Sequence, residues 1–206
     1  MKTSLLLLLA GALLPSLAQA QPSAQAPAQT SNSAGAALAT GQPLPPDLLL
    51  NFSPAARNEA LLLQSGTGNA AYLNQANPTS PGGRANLAAI TQAGAGNVLA
   101  VQQTGAGNGV RFAQAGTANQ ATLRQTGTGN DLDGQLSGNY NQLSVAQTGT
   151  GNRYSTQLSG TQGRYQVEQL GTDNQLIQRE NATTTQPGYS VRMAGTGIRL
   201  RIEQGR

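Results

Sequence analysis

The chain has 206 residues, only 10% of them charged and 3% aromatic, with 26 glycines and no cysteine, histidine or tryptophan. Globular domains carry about 25% charged residues, so this composition argues against a core of large apolar side chains alone. It points instead to backbone hydrogen bonds, small-residue packing and amide pairing. Triads built on histidine or cysteine, zinc sites and disulfides are excluded by residue type, and no cofactor is called for. The net charge of +4 falls to +3 once Lys2, the only lysine, is set aside, leaving eleven arginines against eight acids. That thin excess, without clustered cations or stacking aromatics, does not make nucleic acid a main partner.

In chain order the first element is a leader. Lys2 is a short basic region, Leu5 to Leu14 is apolar, and Ala18-Gln19-Ala20 fits a small-x-small cleavage pattern. The apolar run is too short to span a bilayer. The sequence therefore predicts a signal peptide over 1–20 and a secreted product. Residues 21–57 are rich in Ala, Pro, Gln and Ser, including Pro43, Pro45, Pro46 and Pro54. Such a segment buries too little apolar surface to fold alone, and it is predicted to be a disordered arm.

From residue 58 to residue 206 the sequence is repetitive. The unit Gln-x-Gly-x-Gly-Asn begins at Gln64, Gln92, Gln103, Gln125 and Gln147 and closes on Asn69, Asn97, Asn108, Asn130 and Asn152. Looser copies run from Gln114 to Asn119 and from Gln169 to Asn174. Gln92, Gln103, Gln114 and Gln125 are spaced by eleven residues, and Gln125, Gln147 and Gln169 by twenty-two. Between the last three lie the shorter turns Gln135-Leu-Ser-Gly138 and Gln157-Leu-Ser-Gly160. Each half-repeat alternates with period two. Asn97, Leu99, Val101 and Gln103 share one face, as do Asn108, Val110, Phe112 and Gln114. The Gly-x-Gly segments reverse the chain. Two strands and two turns then make one coil of about twenty-two residues, and stacked coils make an all-β solenoid. Six to seven coils are expected.

Stacking places each of these Gln and Asn side chains about 4.7–4.8 Å above its equivalent, so the amides can form ladders. An amide buried without a partner would cost about 1–3 kcal/mol, which lets the ladders enforce register. Proline placement agrees. Pro78 and Pro81 fall in an insertion over 76–82, Pro187 falls in a second break after Asn181, and no proline lies between Gly82 and Gln186.

The in-phase Gln-x-Gly-x-Gly-Asn-x-x-x-x-x-Gln spacing resembles the curlin repeat of bacterial curli fibres over residues 58–206. The order of signal peptide, arm and repeats is also similar to that family. The resemblance implies self-association into extracellular amyloid fibres, export through a dedicated outer-membrane secretion pore with accessory factors, and roles in biofilm matrix and adhesion. It also implies a second curlin subunit as partner, since curlin systems use a major subunit and a minor nucleator. The final repeat departs from the pattern. Met193 and Ile198 stand where Gln and Asn are usual, and Arg192, Arg199, Arg201 and Arg206 crowd the end. This divergent basic repeat resembles that of the nucleator and is expected to anchor the fibre to the cell surface. Charged residues on a terminal strand also deter uncontrolled pairing, so edge protection stays open. A major fibre subunit and a monomeric solenoid adhesin are the alternatives.

No catalytic constellation emerges, and no enzyme activity is expected. Asp131 and Asp133 share a strand face, the pattern of a solvated surface. Asn51-Phe-Ser53 and Asn181-Ala-Thr183 match the glycosylation sequon without further context.

Overall fold

The structure, a computed structural model, describes residues 4–10, 58–77, 84–185 and 187–205. The arm over 21–57 lies outside the described residues, as do Pro78, Pro81 and Arg206. The elements are β1 Ser4–Ala10, β2 Glu59–Thr67, β3 Ala70–Ala76, β4 Leu87–Ala95, β5 Val98–Ala106, β6 Gly109–Thr117 and β7 Gln120–Thr128. They continue with β8 Asp131–Asn139, β9 Gln142–Thr150, β10 Arg153–Thr161, β11 Arg164–Thr172, β12 Gln175–Thr185, β13 Tyr189–Thr196 and β14 Arg199–Gly205. None of the described residues is helical.

The fold is an all-β solenoid of coils about twenty-two residues long. Even-numbered strands, with β1, form one sheet in the order β1-β2-β4-β6-β8-β10-β12-β14. Odd-numbered strands form the facing sheet, β13-β11-β9-β7-β5-β3. Every pairing is parallel, and Gln103, Gln125, Gln147 and Gln169 lie directly over one another. Two coils are longer. Gln64 pairs with Gln92, a step of twenty-eight, so six residues (28 − 22) are inserted beside Asn77. Tyr165 pairs with Tyr189, a step of twenty-four, and the two extra residues (24 − 22) fall between Asn181 and Thr185 in β12.

Alternation puts Leu99, Val101, Val110, Phe112, Leu123, Leu132, Leu143 and Val145 inside with the amides. The interior adjusts locally to volume. Gly134 points inward between Phe112 and Thr156, and a Cβ there would lie 2.9 Å from the Phe112 ring and 2.7 Å from the Thr156 methyl. The aromatic ring of one coil thus occupies space that the next coil leaves empty.

The two glycines of each turn have different duties. At Gly127 φ is 114°, and a Cβ would fall 2.1 Å from the carbonyl oxygen of Gly149 in the next coil. Coils cannot stack at this point unless the side chain is absent. At Gly129 φ is 65° with nothing within 4 Å of a Cβ. That position needs only the left-handed backbone, which Asn and Asp tolerate best among other residues. Ala118, Tyr140, Gln162 and Asp173 hold the equivalent place in other turns at φ between 52° and 60°.

Within the predicted leader the structure describes β1, whose backbone pairs with β2 from Ser4–Glu59 to Ala10–Ser65. This strand occupies the outer edge of β2.

Candidate functional site

The amides named from sequence sort into four columns. In the odd-strand sheet Gln103 Nε2 donates to Gln125 Oε1, Gln125 to Gln147 and Gln147 to Gln169, each at 2.8 Å. In the even-strand sheet Gln64 donates to Gln92 and Gln92 to Gln114, at 2.6 and 2.9 Å. The Asn columns stand at the turns and run the other way. Asn130 Nδ2 donates down to Asn108 Oδ1, Asn152 to Asn130 and Asn174 to Asn152, at 3.0–3.1 Å. On the opposite edge Asn97 donates to Asn69 and Asn119 to Asn97, each at 3.1 Å. Every Asn Nδ2 also ties the turn to the coil above, as Asn130 does with Gly149 O at 3.0 Å. The Gln and Asn amide dipoles therefore point in opposite directions along the axis.

Four members escaped the sequence reading. Asn86 and Asn141 continue the Asn columns, donating to Gly105 O and to Asn119 Oδ1. Asn58 Oδ1 accepts from the Asn86 backbone N–H, and Gln75 donates to Gln103 Oε1 at 2.7 Å. Counting by twenty-two from Asn108 and Asn119 reaches Asn86 and Asn141 directly. Counting by eleven from Gln64 and Asn69 reaches Gln75 and Asn58, but the six-residue insertion hides which residues they pair with.

The even-strand Gln column stops after Gln114. Leu136 and Leu158 occupy the next two levels, and the neighbouring Gln135 and Gln157 of the shorter turns point outward. Glu180 takes the level after that. It is buried among Tyr154, Tyr165, Tyr189 and Gln178. Tyr165 Oη donates to Glu180 Oε1 at 2.7 Å, and Tyr154 Oη donates to Gln178 Oε1 at 2.7 Å. Gln178 Nε2 donates to Tyr189 Oη at 2.8 Å. The Tyr165 and Tyr189 rings meet edge to face at 5.6 Å.

This cluster gives the stability a pH dependence. Burial, and then the nearby Glu180, push the Tyr165 and Tyr189 phenols up, Tyr189 to about 12, and burial pushes Tyr154 up as well. In the unfolded chain a tyrosine ionises near 10. Above that pH the unfolded state sheds protons that the folded state keeps, so stability is full below about pH 10 and falls as pH rises toward 12. Urea midpoints should hold between about pH 8 and pH 9 and decline from about pH 10 to pH 11. Tyr189→Phe should flatten the decline, and an unchanged slope would contradict this origin.

The final repeat is tied to the stack by other groups. Gln169 Nε2 meets Met193 Sδ at 3.8 Å, and Asn174 Oδ1 accepts from the Ile198 backbone N–H at 3.1 Å. Of the basic residues, Arg192 pairs with Glu168 at 3.2 Å, and Arg201 pairs with Glu203 on its own strand. Arg199 stands exposed on the outer face of β14. Ile198 and Leu200, on the inward side of the strand, are 37% and 40% exposed, because no coil lies beyond them among the described residues. Asp131 and Asp133 face outward, and Asp133 pairs with Arg111 at 3.6 Å with both side chains more than half exposed. Such a pair contributes about 0–1 kcal/mol.

Among the described residues no group of three or more acidic side chains is placed to hold a metal ion. No family model matches the chain, and no curated protein and no solved structure matches it.

Proposed function

We propose that the chain is a structural subunit of an extracellular curli-type amyloid fibre, assembled by stacking solenoid ends after removal of the leader. The observation that carries this reading is that the parallel sheets run to both ends of the solenoid, where the outer edges of β3, β13 and β14 have no strand beside them among the described residues. Exposed edges of this kind are templates for another chain. The fibre would lie outside the cell, reached through the periplasm and an outer-membrane secretion pore, and would contribute to biofilm matrix and adhesion.

The loss of both ladder amides in the final repeat favours the minor, nucleating subunit over the major one. A second curlin subunit and the cell surface are its partners. Two of the four terminal arginines are engaged with Glu168 and Glu203, so anchoring would rest mainly on Arg199 and Arg206. Because β13 supplies the buried Val191 and Met193, charge removal tests the anchor better than deletion. Arg199→Gln with Arg206→Gln should release fibres into the medium, whereas unchanged retention would leave the basic end as a protected edge.

The test of assembly is direct. The chain from Gln21 onward, held at micromolar concentration, should convert after a lag into dye-binding fibres, and preformed fibres should abolish the lag. A stable soluble monomer under the same conditions would favour a monomeric solenoid adhesin instead.

A further inference from the structure

We infer that successive copies of this chain stack head to tail with a half-turn about the fibre axis, so that β2 of each copy lies on β13 of the copy below and β3 lies on β14. The inference rests on the proposed fibre assembly and specifies its interface.

The first observation is parity. Strands β2 to β14 number thirteen (14 − 1), seven in the even-strand sheet and six in the odd. The solenoid therefore ends half a coil out of phase with its start. A copy added without rotation would place β2 on β14 but find the level over β13 empty, and only one of the two sheets could continue. A copy turned by half a revolution sets β2 over β13 and β3 over β14, and both sheets run on without a gap. Both halves of a coil are a strand followed by a turn on the same eleven-residue spacing, so the solenoid accepts this operation. In the chain with its leader, β1 covers the edge of β2 that this contact needs. Removing the leader frees it.

The second observation is an orphaned acceptor. Gln75 is 7% exposed, and its Oε1 has no hydrogen-bond partner. Wherever one Gln follows another in these columns, the Nε2 donates toward the C-terminal end and the Oε1 receives from the coil before. Gln75 Oε1 thus lacks the donor that a preceding coil would bring. In the half-turn arrangement the residue beneath it is Gln204, whose amide can donate. Without rotation the level beneath it is empty, and the acceptor stays orphaned. The half-turn also sets Arg201 under the face-exposed Tyr72, a cation–aromatic contact, where the unrotated stack leaves the level empty.

The chain has no cysteine, so paired substitutions report the contact without background. Neighbouring strands lie about 4.8 Å apart, within the Cα separation a disulfide spans. Tyr72, Ser190 and Arg201 are all exposed on outer faces, so cysteine there leaves the core intact. Fibres of Tyr72→Cys/Arg201→Cys should shift on oxidation from monomer to a disulfide-linked ladder in a denaturing gel, while fibres of Tyr72→Cys/Ser190→Cys should stay monomeric. The reverse pattern would overturn the half-turn and leave fibre assembly standing. Fibres that link in neither variant would also overturn it, placing another segment on β3. Failure to form fibres at all would remove the assembly reading and this inference together, and is read separately by dye binding before oxidation.

Discussion

Gly127→Ala should destabilise the solenoid by about 3 kcal/mol or more, while Gly129→Ala, two residues away in the same turn, should cost about 1 kcal/mol. The added methyl at Gly127 would sit 2.1 Å from Gly149 O and 3.0 Å from its carbonyl carbon. Both atoms belong to the backbone of the next coil, so relief requires the coils to part. A side chain at φ 114° is strained in addition, by about 1–3 kcal/mol. Overpacking against a rigid neighbour adds about 1–3 kcal/mol more. At Gly129 the cost is only that of a left-handed residue, about 1–2 kcal/mol at most, and the molecule already tolerates it at Ala118 and Gln162. Urea unfolding of monomer kept below the concentration for fibre growth measures both. Equal effects at the two positions would mean that backbone conformation, and not the approach of coils, governs the turn.

The Gln column should behave as a unit. Gln125→Leu removes the donor to Gln147 Oε1, an acceptor in a fully buried residue with no other partner for that oxygen. Gln103 Nε2 is less affected, since it keeps Leu87 O and Asn108 O, each at 3.0 Å. The expected loss is about 1–3 kcal/mol, the cost of one buried unsatisfied acceptor. Replacing Gln103, Gln125, Gln147 and Gln169 together by Leu leaves no orphaned amide oxygen along that stretch. The even-strand column already stacks Leu136 on Leu158, both fully buried. The quadruple variant is therefore expected to cost far less than four single losses and to approach the single variant. Denaturation midpoints of the single and quadruple variants decide this. Four additive losses would show that each amide acts through its own backbone bonds, such as Gln125 Nε2 to Gly109 O at 2.8 Å, and that the ladder itself adds little.

Much of this architecture is legible in the sequence because the physics repeats every eleven residues. Period-two alternation fixes which of Leu99, Val101 and Gln103 face inward, and the constant spacing fixes which Gln lies over which. What is illegible depends on departures from the period. The pairing of Gln64 with Gln92 and of Gln75 with Gln103 spans an insertion, so the repeat spacing does not say which Gln lies over which there, although Gln75 itself closes the Gln64 copy of the motif. Leu136 and Leu158 occupy amide levels, but the adjacent Gln135 and Gln157 suggest to a reader of sequence that the amide persists. The Phe112–Gly134 complementarity and the Tyr–Glu180 cluster are contacts between coils, and no single repeat contains them. The unequal duties of Gly127 and Gly129 become visible only when the next coil is in place.

The most direct test of the fibre proposal is the mass per unit length of fibres grown from the chain from Gln21 onward. Thirteen strands at two per coil, with coils about 4.8 Å apart, give one chain for every 31 Å or so of fibre axis, roughly. Scanning transmission electron microscopy of unstained fibres reads this value directly. One chain per roughly 31 Å for each protofilament is the expected result. One chain per roughly 4.8 Å, the value for chains lying flat in single stacked layers, would contradict the solenoid as the fibre's building block.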